Sequence, residues 1–181
     1  IVQTGDNVAR ELTHHVTIFG GLVAGNLGDG ITIRQADGVF VGTNVLGASG
    51  GVTVENNSGV GILIEGSQSV EEKNNTIAGN TTGTGTVGND SEIFVKGYLQ
   101  DFYSGEPAND PDTANNLFRQ SANITVTANT IGQLPSDTAT RGITVNNALD
   151  VVGTNSLPSL GNDNGNTFLG VSQNYAQGGT Q

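Results

Sequence analysis

The acidic residues Asp37, Glu55, Glu65, Glu71, Glu72 and Asp150 are the groups from which acid-base work would be drawn, because they sit in or beside segments rich in β-branched residues. Glycoside hydrolysis needs two carboxyl groups at a fixed separation, and nothing in the spacing of these six singles out a pair. Arg34, Arg119 and Arg141 are the available guanidinium groups, and no acidic cluster attaches to any of them. His14 and His15 are neighbours, so in an extended strand they point to opposite faces and do not clamp one ion together. No residue set is therefore assigned to catalysis, and whether the chain is an enzyme stays open, with the balance against. Calcium is the cofactor that the composition allows, since Asp/Asn-rich loops supply its oxygen ligands. Asp110 and Asp112, in Asp110-Pro111-Asp112, and Asp163, in Asn162-Asp163-Asn164-Gly165-Asn166, are the candidate ligands. Neither stretch has the spacing of an EF-hand, and the Gly-Gly-x-Gly-x-Asp nonapeptide is absent. Cysteine is absent, which excludes disulfides, thiolate metal sites and a Cys nucleophile.

The formal charge is −11, from 6 Lys plus Arg against 17 Asp plus Glu. Nucleic-acid binding rests on basic patches, so that class of partner is excluded. An acidic surface of this kind suits a soluble, self-repelling chain, cation binding or saline surroundings. The 181 residues fit one domain, and 34% hydrophobic content with 28 Gly is low without being disordered, because the apolar residues are concentrated. No run approaches a membrane span, and Ile1 to Arg10 lacks the regions of a signal peptide. The lack of Met, even at position 1, points to a processed chain or an excised piece of an exported protein.

The elements that must position these groups are short strands. Between Asp29 and Gly79 the triplets Ile31-Thr32-Ile33, Val39-Phe40-Val41, Val52-Thr53-Val54 and Ile62-Leu63-Ile64 each put two apolar side chains on one face and turn the middle one away. Val16-Thr17-Ile18, Ile124-Thr125-Val126 and Ile143-Thr144-Val145 repeat the pattern, and Ile93-Phe94-Val95 supplies another strand. Strands this short, with no helices between them, gain burial only by stacking on copies of themselves. A second repeated element places Asn before Thr and an apolar residue, at Asn75-Thr76-Ile77, Asn129-Thr130-Ile131 and Asn166-Thr167-Phe168, with Asn44-Val45-Leu46 as a degenerate copy. Gly and Asn tolerate left-handed backbone, so these residues mark corners, and stacked Asn amides bond along the array as a ladder. That structural role is assigned to Asn44, Asn75, Asn129, Asn155 and Asn166.

From Val16 to about Gly170 the pattern resembles the right-handed parallel β-helix repeats of pectate-lyase-like proteins, whose coils read roughly Gly-Ile-x-Ile, a turn, x-Val-x-Gly-Asn-x-Ile, and another turn. The resemblance implies an all-β, right-handed parallel β-helix of about six or seven coils at roughly 20 to 30 residues each. It is nearly silent on activity. It takes in polygalacturonases and pectate lyases, but the Asp-Asp and Gly-His-Gly motifs of polygalacturonases are missing, and nothing in the spacing gives Arg34, Arg119 or Arg141 the calcium-binding carboxylates that stand beside a pectate lyase's Arg base.

The repeat breaks between Thr81 and Asn116. Tyr98 to Asn116 carries Pro107 and Pro111 and reads as a single inserted loop, and such insertions are often functional. Tyr98, Phe102 and Tyr103 are its candidate ligand or partner contacts, because Tyr supplies contact area at small entropic cost. Residues 1–13 read as an N-terminal cap on a single domain of residues 1–181. Two functions follow as expectations: an extracellular or cell-surface structural or adhesive solenoid, part of a fibre and able to associate end to end, or a polysaccharide-active enzyme or carbohydrate-binding relative. Membrane insertion is not expected.

Overall fold

The computed structural model describes residues 2–3, 13–44, 51–80, 91–97, 121–132, 141–146, 148–152, 165–171 and 173–177. These residues form strands β1 (Val2–Gln3), β2 (Thr13–Ile18), β3 (Leu22–Ala24), β4 (Ile31–Arg34), β5 (Ala36–Gly42), β6 (Thr53–Glu55), β7 (Ile62–Glu65) and β8 (Gln68–Lys73). They continue as β9 (Thr76–Ala78), β10 (Ser91–Lys96), β11 (Ser121–Thr127), β12 (Thr130–Gly132), β13 (Arg141–Asn146), β14 (Ala148–Val152), β15 (Thr167–Leu169) and β16 (Gln173–Gln177). Among the described residues there is no helix.

Three parallel sheets result, and each takes every third strand. Sheet A runs β1-β4-β7-β10-β13-β16, sheet B β14-β11-β8-β5-β2 and sheet C β15-β12-β9-β6-β3. The chain therefore visits A, B and C in turn five times, and β16 returns it to A. All eight triplets fall on these strands; Val52 lies one residue before β6 and is buried with it.

Parallel register stacks like on like. In sheet A, Ile31, Ile62, Ile93 and Ile143 share one column, and Ile33, Ile64, Val95 and Val145 share another. Val54, Ile77, Ile131 and Phe168 do the same in sheet C. These residues belong to a single apolar core, with Phe168 and Val145 packed at its margin. β-branched side chains have few rotamers to lose, so columns of Ile and Val pack at low entropic cost.

Corners recur at the same points of each round, and there the backbone is left-handed. His15, Gly38, Ser69 and Asn123 form such a column inside sheet B, all with φ between 53° and 69°. Asn74, Ala128 and Gly165 form another between sheets B and C. His15 is exposed at its corner, which breaks the simple strand alternation expected at His14 and His15.

The Asn ladder is present, with one change of membership. Oδ1 of Asn75 accepts from the Val52 N–H at 2.9 Å, Oδ1 of Asn129 from the Asn75 N–H at 2.8 Å, and Oδ1 of Asn166 from the Asn129 N–H at 2.9 Å. Because Thr53 pairs with Thr76, the ladder place in that round belongs to Val52, and Asn44 is an exposed residue ahead of it. A second, unforeseen ladder links Asn26, Asn57 and Asn80 through side-chain amides at 2.8 Å. Asn155 lies outside the described residues.

Candidate functional site

The alternation that turns Ile and Val inward also fixes what sheet A presents outward. β4 offers Thr32 and Arg34, β7 Leu63 and Glu65, β10 Phe94 and Lys96, and β13 Thr144 and Asn146, and the register aligns them in two columns. In the first column Leu63 and Phe94 are buried and form a second apolar cluster with Val60. Thr144 of the same column has its hydroxyl 2.6 Å from that of Ser91.

The second column is the candidate site. Arg34 Nε donates to Glu65 Oε2 at 2.6 Å, and Lys96 Nζ lies 3.0 Å from Glu65 Oε1. The Glu65 side chain is 2% exposed, while each cation is 26% exposed. An unpaired carboxylate at that depth would be costly, and here each oxygen has its own cation, one strand away on either side. The Lys96 ammonium also stands 5.8 Å from the centre of the Phe94 ring, within cation-π range. The backbones that carry Arg34 and Lys96 are two strands apart, roughly 10 Å at the usual strand spacing, and their charged ends converge on Glu65. The row is thus a rigid pair of half-exposed cations with a local excess of positive charge on an acidic chain. It is suited to holding anionic groups, with both oxygens of Glu65 committed to the cations.

Two other acids among the described residues are buried. Glu92 ends the second Asn ladder, its carboxylate accepting from the Asn80 N–H at 3.2 Å and from Asn80 Nδ2 at 2.7 Å. Glu72 lies inside sheet B, and neither of its carboxyl oxygens has a hydrogen-bond partner. Burial pushes its pKa up from 4.5 to about 8.

Of the six carboxylates read from the sequence, Glu65 and Glu72 are thereby distinguished. Asp37, Glu55 and Glu71 lie at partly exposed positions in separate places and are not brought together. Among the described residues no group of three or more His, Asp or Glu could hold a metal ion. The calcium candidates Asp110, Asp112 and Asp163 and the contact candidates Tyr98, Phe102 and Tyr103 lie outside the described residues. Lys96 and Glu92 were not singled out in the sequence. The signal for Lys96 was present, because Arg34, Glu65 and Lys96 follow one another at the 31-residue step that also separates Ile31, Ile62 and Ile93.

No family model and no curated protein matches this chain. Among solved structures, the A-module of mannuronan C-5 epimerase AlgE4 from Azotobacter vinelandii is similar over 99% of the chain, with a TM-score of 0.64 and 17% identity. The A-module of mannuronan C-5 epimerase AlgE6 from the same organism is similar over 89%, with a TM-score of 0.58 and 20% identity. The chain covers 41% and 36% of those two structures, well under half of each. At such identity the likeness is one of fold. Both modules have a parallel β-helix fold, which fits the superfamily resemblance in the sequence. The expected fibre role gains no support from them.

Proposed function

We propose that this chain is a right-handed parallel β-helix that binds an acidic polysaccharide of the uronate class on the outer face of sheet A. The observation that carries the reading is the Arg34-Glu65-Lys96 row. Lys has three N–H donors, so Lys96 keeps donors for a ligand after bonding Glu65. Glu65 draws the two cationic ends together, so the row presents a compact positive patch to the carboxylates of an extended glycan. The fold likeness to two modules whose names include mannuronan supports the choice of a uronate polymer over other polyanions. Binding of this kind belongs outside the cell. The chain itself carries −11, so calcium is expected to strengthen the complex by screening and bridging.

The test is isothermal titration with mannuronan, guluronan and polygalacturonate oligomers, with calcium and with EDTA, followed by proton NMR of the products. Saturable binding that weakens at least tenfold in Lys96→Met, with the circular dichroism unchanged, is the expected result. No binding to any of the three polymers, or equal binding by Lys96→Met, would overturn the reading. A change in C-5 configuration or the appearance of unsaturated ends would extend the reading from binding to catalysis.

A further inference from the structure

Glu72 takes no part in the outer row, and nothing around it explains an acid. It is 0% exposed, and in the sheet B register it stands in the column Ile18, Val41, Glu72, Val126, where its neighbours above and below are valines. The buried positions of the other two sheets are apolar at the same level of the stack: Ile64 and Val95 in sheet A, and Val54, Ile77 and Ile131 in sheet C. Among the described residues no charged group shares its side of the sheet. Asp37, Glu71 and Lys73 sit at partly exposed positions of sheet B, and Arg34, Glu65 and Lys96 are paired on the outside of sheet A. Glu55 is partly exposed on sheet C, and Glu92 is bound to Asn80. The position is also a seam. The Glu72 carbonyl accepts from Asn129 Nδ2 at 3.1 Å, so the residue sits where the ladder crosses from the round of β8 to that of β11, with β9 and β10 between them in sequence.

We propose that Glu72 is a proton-dependent latch: the interior accepts the neutral acid, and loss of its proton loosens β8 from β5 and β11. A carboxylate buried in an apolar column with no hydrogen-bond partner is costly to ionise. The group has its ordinary value when unfolded and a raised one when folded, so folding takes up a proton. The stability tied to it is complete below pH 4.5, declines as pH rises towards about 8, and is constant above that.

The experiment compares the native chain with Glu72→Gln, and with Glu72→Val in parallel, by urea unfolding and hydrogen exchange from pH 5 to pH 9. Relative to either variant, the folding constant of the native chain falls about tenfold per pH unit between pH 5 and pH 8, about a thousandfold in all, and then levels off. Exchange protection in β8 and β11, corrected for intrinsic rate, falls over the same window in the native chain alone. Parallel pH curves for the native chain and both variants would overturn the proposal. So would failure of Glu72→Val to fold, since the latch requires the apolar replacement to be at least as stable as the acid at pH 8.

Discussion

Replacing Asn129 by Ala should be among the most damaging single changes on the surface-distant side of sheet C, and the cost follows from its bonds. Oδ1 of Asn129 accepts the Asn75 N–H at 2.8 Å, and Nδ2 donates to the Glu72 carbonyl at 3.1 Å and to Asn166 Oδ1 at 3.3 Å. Each contributes about 0.5–1.5 kcal/mol net, and a buried donor left without a partner costs about 1–3 kcal/mol. The Asn75 N–H becomes such an orphan, whereas Asn166 keeps the Asn129 N–H at 2.9 Å. The expected loss is about 3–4 kcal/mol, a large fraction of the stability of an ordinary domain and near 10 °C in Tm for a chain of this size. Asn44→Ala, exposed and outside the ladder, should stay within about 0.5 kcal/mol. Urea unfolding followed by far-ultraviolet circular dichroism at pH 6 measures both, with the m-value as the check that the same surface is being exposed. A loss below about 1 kcal/mol at Asn129, or one no larger than at Asn44, would show that the ladder decorates the corners and does not hold them.

Two corner substitutions should move stability in opposite directions. Gly42 has φ 125°, and a Cβ there would overlap the Lys73 carbonyl oxygen, so Gly42→Ala is expected to cost about 3 kcal/mol, read as a fall in urea midpoint. Ala128 holds φ 55°, a conformation that costs an L-residue about 1–2 kcal/mol, so Ala128→Gly should gain about 0.5–1 kcal/mol after the extra flexibility of unfolded Gly is counted, visible as a rise in Tm.

Much of the architecture was legible in the residues. Triplets such as Ile31-Thr32-Ile33 and Ile62-Leu63-Ile64 cannot bury both apolar positions alone, so their repetition implies stacking, and the parallel register of Ile on Ile is the outcome. Asn before Thr marked the rungs at Asn75, Asn129 and Asn166 for the same reason, since Asn both bonds neighbouring rungs and stays cheap at a corner. Asn44 shows where that signal stops: its motif is similar, but membership of the ladder depends on the pairing of Thr53 with Thr76, which local sequence does not encode. The outer face lay further from view. Strand alternation places Leu63, Phe94 and Glu65 outward and so suggests solvent, yet all three are buried, because alternation reports which side a residue takes and not what else packs there. The regular step that brings Arg34, Glu65 and Lys96 together is written in the sequence. That two of these are cations closing on one buried carboxylate, and that Glu72 is left without a partner among valines, was decided only by folding. Whether a charge is paired or stranded depends on neighbours one rung away in space and 31 to 54 residues away in the chain.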